Sequence, residues 1–336
     1  MPVLWLQFIV CAGVIVWCGR LLSRYGDVIA EKSGLGRAWI GLVLMAGVTS
    51  LPELVNGISS VTVAAVPDIA MGDIMGSCVF NLSLIALMDV LHGPGPIFSK
   101  AEQDHILSAG FGIILIGVVV VSKLAGDVVP SIGTVGLYTP LIIFIYLLSI
   151  RSVFLHQKRK YTMFPVAAEE KLYGNVTTKK AVVNYTVNAV IIMVAATFLP
   201  FIGEKIALET GLGKSFVGTF FIGLTTSLPE LVVSIAALRI GAADLAIGNL
   251  FGSNLFDIFI LAVDDIFYVK GPLLNDVSAN HAVTGLMAII MTAIAVVGLT
   301  FRPKKKTFLR AEWGAMGLFI TFVLSIVILY FLKERG

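Results

Sequence analysis

Long apolar runs, broken at intervals by short polar stretches, organise this chain from end to end. Scanned with a window of about 20 residues, the length a helix needs to cross a bilayer, the sequence contains ten apolar segments. They lie near 3–22, 36–62, 68–91, 104–122, 130–150, 181–201, 213–238, 243–267, 281–300 and 311–332. The longest interruption, 151–180, carries Lys158-Arg159-Lys160, Pro165, Glu169-Glu170-Lys171 and Lys179-Lys180, and it separates five segments from five. The pattern predicts an all-α fold: a polytopic membrane protein of ten transmembrane helices. Residues 1–150 form a first five-helix repeat, 151–180 a linker too short for an autonomous domain, and 181–336 a second five-helix repeat. The chain is apolar from Met1 with no basic region ahead of the first segment, so that segment reads as a helix that stays, not a cleaved leader.

Composition supports the same class. Apolar residues make up 57% and charged residues 13%, against about 45–50% and about 25% in soluble domains. The net charge of +3 is informative only once distributed. With ten crossings, eighteen of the 24 Lys and Arg fall on one side and six on the other. The positive-inside rule then puts the 151–180 linker in the cytoplasm and both termini outside, in the plasma (cell inner) membrane. Because five is odd, the two halves run through the membrane in opposite senses, as inverted repeats. Cys11, Cys18 and Cys78 are scattered through apolar sequence and make neither a disulfide framework nor a zinc site. His92, His105, His156 and His281 fall near segment ends and read as interfacial or solvated. Asp264 and Asp265, at the end of the eighth segment, also read as solvated. The bilayer is the expected surrounding; neither a nucleic acid nor an obligate protein partner is expected.

Chemistry enters through a repeated motif. Gly47-Val-Thr-Ser-Leu-Pro-Glu53 recurs as Gly223-Leu-Thr-Thr-Ser-Leu-Pro-Glu230, with Ser50, Pro52 and Glu53 returning 177 positions later as Ser227, Pro229 and Glu230. Gly72-Asp73-Ile-Met-Gly76-Ser77-Cys78-Val-Phe-Asn81 recurs as Gly248-Asn249-Leu-Phe-Gly252-Ser253-Asn254-Leu-Phe-Asp257, shifted by 176. The two copies occupy 41–91 and 217–267. A buried acid costs about 2.5–3.5 kcal/mol on insertion scales, so two at matched positions point to function. Proline breaks each helix and frees carbonyl groups, which survive in a membrane only where protein or a polar cavity satisfies them. Thr49, Ser50 and Glu53 lie three and four residues apart and share a helix face, as do Thr226, Ser227 and Glu230; Ser77 with Asn81, and Ser253 with Asp257, repeat the four-residue step. Hydroxyls, carboxylates and freed carbonyls make an all-oxygen set suited to hard cations such as Ca2+ or Na+. The glycine pairs Gly72/Gly76 and Gly248/Gly252 read as devices for close helix approach. Asp73 either strengthens the negative field or caps a helix.

At these residues the chain resembles the cation/calcium antiporter superfamily, specifically the sodium/calcium exchanger membrane proteins of prokaryotic type. The resemblance rests on T-S-x-P-E with G-[DN]-x-x-G-S-[CN]-x-x-[ND], present twice and in order. It implies cation sites at the centre of the bundle with ligands from helices two, three, seven and eight: Thr49, Ser50, Glu53, Ser77 and Asn81, then Thr226, Ser227, Glu230, Ser253 and Asp257, with the backbone carbonyls of Ala46 and Gly223. It implies transport of Ca2+ against Na+ by alternating access, with three Na+ per Ca2+ and no cofactor beyond the transported ions. Asp73 and Cys78 stand where the family usually shows Asn. Leu54 and Leu231 follow the two acids where the proton-coupled branch carries histidine, which favours sodium coupling. Ca2+/H+ or K+-dependent exchange is the alternative within the class, and a cation channel the alternative outside it. No nucleophile–base pair or histidine cluster accompanies the acids, so an enzyme is not expected. Helices one and six, long and without buried acids, are the expected moving part.

Overall fold

The computed structural model describes residues 2–93, 95–163, 173, 175–209, 226–306 and 311–333. The helices are α1 (Pro2–Ser33), α2 (Arg37–Thr49), α3 (Leu51–Thr62), α4 (Pro67–Leu91), the short α5 (Ile97–Lys100), α6 (His105–Ala125), α7 (Tyr138–Met163), α8 (Thr178–Glu209), α9 (Leu228–Arg239), α10 (Ala243–Phe267), α11 (Asn280–Phe301) and α12 (Trp313–Lys333). Among the described residues eight helices are long and apolar enough to cross a membrane, and α2 with α3, bent by 43°, makes a ninth. The expected seventh segment, 213–238, lies partly outside the described residues, which include it only as far as α9.

Four boundaries differ from the sequence expectation by more than a few residues; one is the end of α8, which runs on to Glu209 instead of 201. The fifth long helix starts at Tyr138 instead of 130, because a two-stranded hairpin precedes it: β1 (Ser131–Ile132) pairs antiparallel with β2 (Val135–Gly136). Gly133 turns that hairpin at φ 65°, a conformation glycine adopts without strain. The same helix then continues to Met163, well into the stretch read as linker. Finally, α1 runs to Ser33, so Asp27 is not in a loop but inside the helix and 1% exposed. The Arg37 guanidinium (2.5 Å) and the Tyr173 hydroxyl (2.9 Å) donate to its carboxylate. The first helix therefore does carry a buried acid, contrary to expectation.

α10 and α4 form the centre of the bundle. α10 packs against α2, α3, α4, α6, α7 and α9, while α1 and α8 lie against each other at the side. Close approach of α10 to α2 depends on glycine: a Cβ on Gly252 would lie 2.3 Å from the Leu42 carbonyl oxygen, and one on Gly248 2.6 Å from that of Ala38. On the α2 side, a Cβ on Gly41 would lie 2.3 Å from the Leu245 carbonyl oxygen. Replacing Gly252 by Ala should therefore push two backbones apart, at about 1–3 kcal/mol. A lowered melting temperature of the detergent-solubilised variant is the expected result, and an unchanged one would contradict the packing described.

The two halves are laced together by matching contacts. Asp265 accepts hydrogen bonds from the Leu273 amide at 2.7 Å and the Gly136 amide at 2.9 Å. Shifted back by 176 positions, Asp89 accepts from the Ile97 amide at 2.7 Å and the Glu312 amide at 2.9 Å. The Gly136 and Glu312 bonds each cross from one half to the other. Burial raises the Glu312 carboxyl, and the neighbouring Asp89 adds to the effect. A second matched set joins helix ends. Asp68 accepts from the Ser278 amide and lies 3.0 Å from His281 Nε2; Asp244 accepts from the Glu102 amide and lies 3.0 Å from His105 Nε2. These contacts correct two sequence readings. His105 is 1% exposed and paired, not solvated. Asp264 and Asp265 are fully buried, not solvated.

Candidate cation site

Both acidic motifs fold into the same local shape. α2 passes through a π-helical turn at Ile40–Met45 and stops at Ser50, whose φ of −92° and ψ of 11° lie off the helix. Pro52 then sits in the first turn of α3. Ser227 takes φ −84° and ψ 8°, with Pro229 in the first turn of α9. The proline lacks an amide donor, and the first turn of a helix is the one place where that donor is not needed. Each break thus brings a serine hydroxyl and, three residues on, a glutamate to the start of a new helix.

These residues meet across the halves. The Ser50 hydroxyl donates to Glu230 Oε1 at 3.0 Å, and Ser253 reaches the same oxygen at 3.5 Å. Ser77 and Ser227 lie 3.1 Å apart, Thr49 and Ser253 3.4 Å apart. The Thr49 hydroxyl also lies 3.4 Å from the Ala46 carbonyl oxygen, which accepts the Ser50 amide at 3.0 Å. Thr226 donates to Asp73 at 3.0 Å, as its counterpart Thr49 approaches Asn249 at 3.4 Å. Thr49, Ser50, Glu53, Ser77, Asn81, Thr226, Ser227, Glu230, Ser253 and Asp257 are all 2% exposed or less, and Ala46 is fully buried. Gly223, the remaining sequence candidate, lies outside the described residues.

Several of these polar atoms are left without partners. Among the described residues, both carboxylate oxygens of Glu53, Oε2 of Glu230, Oδ1 of Asp257 and Oδ1 of Asn81 are buried and accept no hydrogen bond. Glu230, Asp73 and Asp257 are the like-charged neighbours of Glu53. Among the described residues no basic side chain offsets them: Arg37, at the start of α2, is committed to Asp27. Buried acceptors of this kind are strongly unfavourable unless a cation or donor satisfies them. Among the described residues no three His, Cys, Asp or Glu side chains gather as a metal cluster. Oxygens from hydroxyls and amides must therefore complete any coordination shell, as a hard cation with six or more ligands allows.

Asp73 does not cap its helix; it accepts from Thr226 and, at 2.7 Å, from Asn56. Cys78 lies 3.9 Å from Asp257 Oδ2. Three supporting residues escaped the sequence reading. Asn254 accepts from the Asn81 amide at 3.1 Å and donates to the Cys78 carbonyl, Asn56 holds Asp73, and Ser234 accepts from Asn249 at 3.1 Å. Asn254 could have been found, because it is the repeat counterpart of Cys78.

The chain is similar to known proteins over most of its length. The sequence profile of the family described as "Sodium/calcium exchanger protein" matches residues 3–154 and 180–332. The sodium/calcium exchanger MaX1 of Methanosarcina acetivorans is 27% identical, across 92% of this chain and 93% of its own. The putative antiporter CaxA of Alkalimonas amylolytica is 23% identical over 85% of this chain and 86% of its own. Solved structures of the sodium-calcium exchanger NCX_Mj share the fold. One soaked with 10 mM Na+ and zero Ca2+ superposes with a TM-score of 0.73 at 18% identity, covering 97% of this chain and 99% of that one. Family, fold and the buried acidic motifs converge: the chain is a multi-pass membrane protein of the sodium/calcium exchanger family, a family of cation antiporters.

Proposed function

We propose that this protein exchanges Ca2+ for Na+ across the plasma membrane by alternating access, through ten helices arranged as two inverted five-helix repeats with both termini outside. The transported ions sit among Glu53, Glu230, Asp257, Asn81, the hydroxyls of Thr49, Ser50, Ser77, Thr226, Ser227 and Ser253, and the carbonyls of Ala46 and Gly223. The observation that carries this reading is the set of unpartnered acid oxygens on Glu53, Glu230 and Asp257, contributed by both halves. The matched contacts of Asp89 with Asp265, and of Asp68 with Asp244, support the repeat arrangement.

Exchange follows from the charge. Ca2+ and Na+ compete for the same three carboxylates, so the occupied site is compensated and the empty one is costly in a low-dielectric core. That cost holds the empty carrier in place and couples the two fluxes. α1 and α8, packed on each other at the side of the bundle, form the moving pair. The test is uptake of 45Ca2+ into vesicles holding the purified protein, driven by a Na+ gradient, by a pH gradient, or by a Na+ gradient with K+ present. Uptake driven by Na+ alone is expected. Uptake driven only by the pH gradient, uptake requiring K+, or flux with no counter-ion gradient would overturn the reading.

A further inference from the structure

Asp264 takes no part in the site above, yet among the described acids elsewhere in the bundle it is the least satisfied. It is fully buried near the end of α10, and among the described residues neither carboxylate oxygen has a hydrogen-bond partner. Its neighbour Asp265 points elsewhere and accepts four hydrogen bonds. The Asp264 carboxylate instead lies flat on the backbone of α3 at Gly57. A Cβ at Gly57 would sit 2.3 Å from Oδ2 and 2.7 Å from Oδ1. The repeat counterparts of this pair are Ser234 and Met88: where α3 has glycine facing an acid, the other half has serine and an apolar side chain. The acid and the gap that admits it are a departure from the repeat, not part of its shared machinery.

The surroundings decide what could bind there. On α3, Asn56 is committed to Asp73 and Glu53 lies one turn away; on α4, Asp73 is a like-charged neighbour. Tyr138, at the start of α7, donates to Asp265. Lys123, near the end of α6, is held by the carbonyls of Leu274 and Val277. α9 carries Glu230 and, at its far end, Arg239, while Arg37 of α2 is bound to Asp27. A hard metal ion needs six or more oxygens, and no group of metal-ligating side chains includes Asp264 among the described residues. A proton needs only the carboxylate itself, and it removes the charge that an apolar contact cannot hold.

We propose that Asp264 is a proton-binding site, separate from the central cation site, that seats α10 on α3 while protonated and weakens that contact when it ionises. The proton comes from the solution on the face the loop charges put outside, and returns to it; no other bond changes. α3 and α10 carry Glu53 and Asp257, so the contact links outside pH to the geometry of the cation site.

The experiment is infrared difference spectroscopy of the purified full chain between low and high pH. The wild type should show a carboxyl C=O band that disappears on alkalinisation, and Asp264→Asn, which mimics the protonated form, should lack it. An identical difference spectrum in Asp264→Asn would overturn the proposal. Should that variant fail to fold, Gly57→Ala places a Cβ where the Asp264 carboxylate lies and must displace it. The band should then shift in frequency or in midpoint; an unmoved band would equally overturn the proposal. In vesicles, Asp264→Asn should retain exchange while losing its dependence on outside pH. That arm rests on the antiport reading; the infrared arm stands without it, so the two failures are distinguishable.

Discussion

Glu53→Gln and Glu230→Gln are each expected to reduce Na+-driven 45Ca2+ uptake to the level of protein-free vesicles while leaving a folded protein. The two acids stand at matched breaks, one behind Ser50 and Pro52, the other behind Ser227 and Pro229. Each is 1% exposed, and Glu53 has no hydrogen-bond partner among the described residues. The amide keeps the shape and removes the charge. Losing one charged partner of a buried cation costs about 3–5 kcal/mol, which is more than a hundredfold in affinity. Folding should not suffer, because the acid in its ion-free state is itself a burden on the core. Glu230 offers an internal comparison: Ser50 and Ser253 approach its Oε1, so Glu230→Gln should disturb its neighbours more than Glu53→Gln does. Wild-type uptake in either variant would remove that glutamate from the site.

The largest effect on stability is expected at Asp265, remote from the ions. Its carboxylate takes the Tyr138 hydroxyl at 2.6 Å, the Thr139 hydroxyl at 2.5 Å, and the amides of Leu273 and Gly136 at 2.7 and 2.9 Å. One side chain thus anchors the β1–β2 hairpin, the start of α7 and the turn after α10. Asp265→Ala leaves four buried donors without an acceptor, each worth about 1–3 kcal/mol. Partial rearrangement should bring the net loss to about 3–5 kcal/mol. Asp89, the repeat counterpart, accepts the amides of Ile97 and Glu312. Asp89→Ala should therefore destabilise less. Thermal unfolding in detergent checks the order, with Asp265→Ala lowest and Asp89→Ala between it and the wild type. Equal melting of Asp265→Ala and wild type would contradict the anchoring role.

What could be read in the sequence followed from period and repetition. The bounds of α10 match the expected eighth segment residue for residue, because its apolar run is bracketed by the polar residues of two turns. The breaks at Ser50 and Ser227 follow from Pro52 and Pro229, whose effect on a helix is local and independent of the fold. Side-chain pairings across the bundle were less accessible. Asp265 sits beside a turn, where a sequence reading defaults to solvent; only the fold brings Tyr138 and Thr139 to it from 127 and 126 residues away. His105 was misread for the same reason, its partner Asp244 lying 139 residues distant. The segment 3–22 falls short of α1 because polar residues at 20–33 end the apolar run, whereas the helix continues under support from α8 and α9. Repetition could have corrected some of this. Asp68 with His281 and Asp244 with His105 stand 176 positions apart, as do Asp89 and Asp265.

The central claim is that Ca2+ and Na+ compete for one set of carboxylates shared between the halves. Equilibrium binding of 45Ca2+ to the purified protein, titrated with Na+, tests it most directly. The account predicts that Na+ displaces bound Ca2+ completely, and that Glu53→Gln loses the Ca2+ binding that Na+ competes with. Ca2+ that stays bound at saturating Na+, or binding unaffected by Glu53→Gln, would contradict it.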